Sequence, residues 1–299
     1  MAPEALQNVH LRRIWWALST PSFLDLPDSA HYFHDDQHRA LIAELLAKQD
    51  QEGAKVNAHF EAQVPQVMGR YFEQLILYVL ELDPHYEVLA ANVQIIEAKI
   101  TRGELDLILY DKQKDQKRHW EVALKYYLQV GEDGNHHNFL GPSRRDFLGR
   151  KMEKLRKLQL PLSDHPQIKA AYGDLKSELF LKGELYYPWA KNPILPDQAQ
   201  AEATPYYFLS LNQLKELYSE SQGRFCILKK PDWIGSYFTK NSSECLSFSE
   251  LEEELETEFQ RIYRPQLIAK MMENPNSLKE EKRYFIIPEG WPNSKTANN

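Results

Sequence analysis

Two stretches of this chain place carboxylates at strand spacing. In Gly103-Glu104-Leu105-Asp106 and the residues that follow, alternation puts Glu104, Asp106 and Ile108 on one face and Leu105, Leu107 and Leu109 on the other. From His119 onward the same rule groups Glu121, Ala123, Lys125 and Tyr127 against Val122, Leu124, Tyr126 and Leu128. Burying charges in a strand costs several kcal/mol each unless they pair or bind a metal. Carboxylates converging on Mg²⁺ or Mn²⁺ answer that cost: such an ion takes oxygen ligands and helps a bound water attack a phosphodiester. A lysine beside them orients the water or neutralises the phosphate, which is nuclease chemistry. The plainer alternative is an edge-strand ion pair between Glu121 and Lys125, with Asp106 accepting backbone hydrogen bonds. The residues alone leave both open, and they leave Glu104 between a second acid and a solvated strand end.

These side chains need elements to hold them. Residues 67–82 follow Pro65 and carry Met68, Phe72, Leu75, Ile76, Val79 and Leu80 at helical spacing, with Glu73 among them; Asp83-Pro84 ends the run. Three extended segments follow at 86–99, 104–110 and 119–130, and the short polar linker between the last two predicts an antiparallel hairpin. After Gly141-Pro142-Ser143, residues 144–160 read as a basic amphipathic helix capped by Ser143, with Phe147, Leu148, Met152, Leu155 and Leu158 on one face. A strand is expected over 178–187. Outside this block, helices are expected at 11–17 and 38–48, the second with Leu41, Ile42, Leu45 and Leu46 together, and at 211–219 and 249–263. No internal repeat is visible, and a polar tail follows Trp291.

The basic stretch offers Arg144, Arg145, Arg150, Lys151, Lys154, Arg156 and Lys157 against only Asp146 and Glu153. It suits phosphates, with binding that falls with salt, or it is a solvated helix face. His31, His34 and His38 with Asp35 and Asp36 have a metal-like spacing, but no further ligand completes a motif, so surface or turn histidines are the expectation. His136 and His137 fall in a polar loop after the third strand. No P-loop, dinucleotide-binding turn or serine-hydrolase elbow is present.

The frame is that of a folded domain: 299 residues, 42% hydrophobic and 26% charged, exclude disorder, collagen and coiled coil. A net charge of −7 excludes a protein basic over its whole surface, leaving room for a local basic patch. No apolar run reaches the ~18 residues of a membrane span, and the N-terminus has no basic stretch followed by an apolar core, so no membrane partner and a cytoplasmic location are expected. Cys226 and Cys245 are too few for a disulfide framework and wrongly spaced for a zinc knuckle.

The order helix, three strands, helix, strand, with an acid in the first helix, Glu104-Leu105-Asp106 on the second strand and Glu121 to Lys125 on the third, resembles the PD-(D/E)XK nuclease superfamily over about residues 69–187. More narrowly, Gly69-Arg70-Tyr71-Phe72-Glu73, Asn92-Val93-Gln94-Ile95, Gly103-Glu104-Leu105-Asp106, His119 through Leu128 and Gly141-Pro142 are similar to the bacterial domain-of-unknown-function family 1853, over most of the chain. The superfamily resemblance implies an α/β fold: a restriction-endonuclease-like mixed sheet flanked by helices. The chain then divides into a helical N-terminal extension (1–62), the nuclease-like core (63–190) and a mixed C-terminal extension (191–299). It also implies that Asp106 and Glu121 ligate Mg²⁺ or Mn²⁺, that Glu73 holds a metal-bound water or a second ion, and that Lys125 is the catalytic lysine. Arg144, Arg145, Lys151 and Lys154 would meet nucleic acid, DNA or RNA, and the fold leaves room for a homodimer. One departure stands out: the superfamily's lysine falls two residues after the acid, where this chain has Ala123, so Lys125 lies about 7 Å further along the strand. A long side chain reaches back, or the fold serves as an inactive module that binds nucleic acid or protein. Reading Ala123-Leu124-Lys125 as the motif would shift the ligand role onto Glu121.

Overall fold

The alternation between residues 86 and 129 folds into three long strands, β1 (Tyr86–Glu97), β2 (Ile100–Asp111) and β3 (Gln116–Gln129). The computed structural model describes residues 6–62, 67–218, 223–274 and 277–293. Pro65, Ser219 and the tail beyond Asn293 lie outside the described residues. β1 and β2 form an antiparallel hairpin closed at Glu97 and Ile100. β2 and β3 form the expected second hairpin, paired from Asp111 and Gln116 as far as Leu107 and Trp120.

Ahead of these strands come α1 (Val9–Ser19), α2 (Asp36–Gln51), α3 (Gly53–Glu61) and α4 (Met68–Leu82). The sequence reading had no separate α3. After β3 the chain forms β4 (Phe139–Leu140), α5 (Leu148–Lys154), α6 (Pro166–Tyr172) and β5 (Lys176–Pro188). The remaining elements are β6 (Tyr206–Ser210), α7 (Leu211–Tyr218), β7 (Arg224–Leu228), β8 (Phe238–Thr239), α8 (Phe248–Arg261), β9 (Gln266–Asn274) and β10 (Ser277–Ile287). The strands make a ten-stranded mixed sheet in the order β1-β2-β3-β5-β6-β10-β9-β7, with β4 on β3 and β8 on β10. Its parallel pairs include β5 with β6 and β6 with β10. No helix among the described residues is long and apolar enough to cross a membrane.

The expected helix at 144–160 is the main local difference. Gly141 and Arg144 close a turn, with Gly141 N–H donating to the Asp146 carbonyl at 2.8 Å and Arg144 N–H to the Gly141 carbonyl at 2.8 Å. Arg144 takes a left-handed φ of 60°, and Phe147 makes a strand-like bridge to Leu140. Ser143 therefore caps nothing, and the helix begins only at Leu148. It then widens into a π-helical turn over Leu155–Gln159, where Leu160 N–H reaches the Leu155 carbonyl five residues back, before tightening into a 3₁₀ turn.

By packing, the chain divides into two compact units: the segment 1–62 falls wholly in the first, whereas 63–190 and 191–299 each contribute to both. The first comprises residues 1–125, 151–183 and 198–203. Here α4 buries Tyr71, Phe72, Leu75, Ile76, Val79 and Leu80, and Ile95, Leu105, Ile108 and Ile168 form a core cluster. The second comprises residues 126–150, 184–197 and 204–299. Its core gathers Leu209, Leu214, Phe225, Leu251, Leu255, Ile268 and Ile286, with α8 held by a Ser247–Glu250 capping box. Cys226 and Cys245 are joined there by one disulfide.

Candidate active site

The site forms where two strands part. The β2–β3 ladder stops at Leu107 and Trp120, leaving the next backbone donors of β3 without their strand partner. The Asp106 carboxylate takes one of them: Val122 N–H donates to Asp106 Oδ2 at 2.8 Å. That fork brings Asp106 next to Glu121, the residue before Val122 on β3, which is only 2% exposed. From the helix side, α4 supplies Glu73. A cavity of about 320 Å³ opens there, lined by Arg70, Glu73, Gln94, Glu104 and Asp106 among others. Glu104 is half-buried in this wall and accepts from Gln94 Nε2 at 3.0 Å.

The electrostatics are those of carboxylates short of positive charge. Burial, then the charges of Asp106 and Glu73, push Glu121 up to about 8, against the pull of Lys151 and Lys154. Burial, then Asp106 and Glu104, raise Glu73 to about 7. Burial is also the largest cause at Asp106, raised to about 6 although the Val122 N–H and Lys151 favour its anion. Glu121 Oε1 accepts from Gln159 Nε2, while Glu121 Oε2 is buried with no hydrogen-bond partner. An orphaned carboxylate oxygen amid two further acids is a donor set for a hard divalent cation.

The structure thus brings Glu73, Asp106 and Glu121 together, and it distributes the basic residues differently from the sequence reading. Lys151, expected on the phosphate surface, is only 16% exposed, with Nζ 4.0 Å from Glu121 Oε1 and 3.2 Å from Gln159 Oε1. Burial, then Lys125 and Lys154, pull its pKa down, against Glu121 and Asp106. Lys125 sits at the end of the first unit's stretch of β3. Its carbonyl is pressed against Gly183 of β5, which has φ 138°, and a Cβ there would lie 1.6 Å from the Lys125 oxygen. Lys154 is exposed on α5. Arg144 and Arg145 belong to the second unit's turn, where the Arg144 guanidinium lies 5.0 Å over the Tyr263 ring and Arg145 is exposed. Arg70, Gln94 and Gln159 had no assigned role. The first two stand in stretches already singled out in the sequence, whereas nothing local marks Gln159.

His38 corrects the expectation of surface or turn positions, which His31 meets. His31 is exposed, but the His34 side chain is 5% exposed and that of His38 is fully buried. Asp35 caps α2 by accepting from His38 N–H at 2.7 Å, and Asp36 is exposed in its first turn. His38, Asp83 and His85 place potential ligand atoms within 4.8 Å of one another. Asp83, however, is already saturated: Oδ2 accepts from Tyr32 Oη and His38 Nε2, both at 2.7 Å, and Oδ1 accepts from His85 N–H at 2.9 Å and Nδ1 at 3.1 Å. His34 N–H donates to His38 Nδ1 at 3.3 Å, which leaves the proton on His38 Nε2, facing Asp83. A metal would have to displace these donors, so the group is a hydrogen-bonded hub. His136 is tied through Nε2 to the Asp197 carbonyl at 2.7 Å.

A family model described as a domain of unknown function (DUF1853) matches residues 12–287. No curated protein and no solved structure gives a significant match.

Proposed function

The chain belongs to the DUF1853 family, and we propose that it is a divalent-metal-dependent hydrolase of phosphodiester bonds in nucleic acid, built on a restriction-endonuclease-like core. The observation that carries this reading is the convergence of Glu73, Asp106 and Glu121 at the fork between β2 and β3, with Glu121 Oε2 buried and unpartnered. The element order α4, β1, β2, β3, α5, β5 supports the fold, and the all-oxygen donor set suits Mg²⁺ or Mn²⁺. Asp106 and Glu121 would hold the ion, with Glu73 on its water side. When bound, the ion supplies Lewis-acid stabilisation of the phosphoryl oxygens.

The chain's own residues do the rest. The Val122 N–H fixes the Asp106 carboxylate in one orientation, and Gln159 does the same for Glu121 Oε1, so both present their remaining oxygens at no reorganisation cost. Arg70, exposed at the cavity rim, and Lys154 offer charge to phosphates. Mn²⁺ titration by calorimetry, with cleavage of mixed DNA and RNA in the same preparation, tests the reading. Binding and cleavage by the wild type, both lost in Asp106→Asn and Glu121→Gln, are the expected result. Nucleic-acid binding without metal binding or cleavage would leave a non-cutting binding module in its place.

A further inference from the structure

We infer that Lys151 of α5, rather than Lys125 of β3, is the cationic catalytic residue of the acidic cleft. The inference rests on the metal-dependent phosphodiesterase reading and assigns the lysine that the third strand fails to supply at the usual position. Three independent observations carry it.

The first is placement. A lysine is seldom buried unless paired, yet Lys151 is 16% exposed and its nearest carboxylate oxygen, Glu121 Oε1, is 4.0 Å away. At that separation the ammonium is drawn to the acid without being consumed by it. Among the described residues its one hydrogen bond goes to Gln159, so two of its three N–H donors remain for a substrate oxygen.

The second is the helix itself. In an uninterrupted α-helix a residue eight positions on lies about 80° around the axis, off the face of the first. The π-helical turn at Leu155–Gln159 inserts one residue into the winding and returns Gln159 to where a seventh residue would stand, about 20° from Lys151. Gln159 then bridges the site, donating from Nε2 to Glu121 and accepting at Oε1 from Lys151. The irregularity has a local product: it couples the lysine to an acid that would hold the metal.

The third is the state of Lys125. Its backbone is locked against Gly183, and its charge reaches the site as a repulsion on Lys151. Of the two lysines, the one seated against Glu121 comes from the helix.

In the reaction, water adds to phosphorus as the ester P–O bond breaks; the water proton passes to solvent and the departing oxygen takes up a proton. Lys151 contacts a non-bridging oxygen and stabilises the negative charge that accumulates there, an effect on the order of 10²- to 10³-fold for one well-placed donor. Gln159 is a positioning residue.

The test compares wild type, Lys151→Met, Lys151→Arg and Lys125→Met by Mn²⁺ calorimetry without nucleic acid and by cleavage rate. Lys151→Met is expected to bind Mn²⁺ as tightly as wild type or up to roughly tenfold tighter, because a competing positive charge is gone, while cleavage falls at least about 100-fold. Lys151→Arg, which keeps the charge, recovers part of the rate. Wild-type cleavage by Lys151→Met, with the loss appearing in Lys125→Met, overturns the inference and leaves the metal reading standing. Parallel loss of Mn²⁺ binding and cleavage in Lys151→Met also overturns it, since the residue would then be structural. A wild type that neither binds Mn²⁺ nor cleaves overturns the reading beneath and the inference with it.

Discussion

Two buried groups of carboxylates share β3 in the first unit, and they are built on opposite principles. Around Glu178 of β5, Arg118 closes a pair at 2.5 Å, Trp120 Nε1 donates at 3.0 Å and Lys176 pairs at 2.6 Å. Burial alone would raise the Glu178 pKa, but Lys176, Arg118 and Trp120 together bring it below its ordinary value. Arg118 also reaches Asp111 at 3.1 Å, so one guanidinium serves two acids. One residue after Trp120, Glu121 has the opposite character: two further acids and one loosely held lysine. The same strand thus builds a neutralised anchor and an unneutralised cleft. A fold does not keep the second kind for stability, because burial and mutual repulsion both work against it.

Stability should break the anchor hardest. Arg118→Met leaves Asp111 buried without its arginine and Glu178 with Lys176 as its remaining cation, and urea unfolding should show a loss of about 3–5 kcal/mol. A loss under 1 kcal/mol would mean that the anchor, too, is held by other groups. In the cleft the large effect should fall on function: Asp106→Asn keeps the shape but removes the charge proposed to hold the ion, and cleavage should drop at least about 100-fold with nucleic-acid affinity nearly unchanged. An equal drop in affinity and cleavage would place Asp106 in binding rather than chemistry.

The contrast also explains what the sequence could and could not reveal. Alternation exposes which residues share a strand face, so β1 to β3, the antiparallel hairpin and the pairing of Asp106 with Glu104 were legible, as was α4 with Glu73. The coarse mixed sheet was an implication of the superfamily resemblance, and the sheet is mixed. What period and spacing cannot express is an interaction made across the fold. Lys151 meets Glu121 from 30 positions away, and Asp83 gathers His38 from 45 positions back. The late start of α5 was hidden because the run 144–160 is amphipathic on paper, whereas the Gly141–Arg144 turn and the Leu140–Phe147 bridge hold its first residues out of the helix. The π-helical turn has no signature in residue types at all.

The two groups should also pull the pH dependence of stability in opposite directions. Glu121, Glu73 and Asp106 have native values of about 8, 7 and 6, above their ordinary 4.5, 4.5 and 3.8. Between those limits the native state holds protons the unfolded chain has released, so their contribution falls as pH rises from about 4 to about 8. Glu178 and Asp83 are lowered, so theirs is present above the unfolded values and is lost as pH falls through the folded ones. Metal-free protein should therefore be most stable on the acidic side of neutrality. Glu121→Gln should match wild type near pH 4 and exceed it at pH 8, and Mg²⁺ should flatten the wild-type decline. Thermal melts across that range check this, and a wild-type stability that rises steadily to pH 8 without metal would abolish the distinction between cleft and anchor.

The smallest effect discriminates between lysines that look alike in the sequence. Lys154 is exposed on α5 and its charge is felt at Glu121, while Lys176 is 52% exposed but committed to Glu178. If positive charge near the cleft serves phosphates and positive charge at the anchor serves the fold, Lys154→Gln should lower the dependence of log affinity on log salt by about 0.7 to 0.9, one phosphate contact. Lys176→Gln should leave that slope alone and lower stability by about 1 kcal/mol or less, since the pair is half open to solvent. Fluorescence anisotropy with a labelled oligonucleotide at several salt concentrations measures both. Equal slopes for the two variants would mean that nucleic acid is held by the chain's diffuse charge, and the cleft would then lose its claim to be where the backbone of the substrate lies.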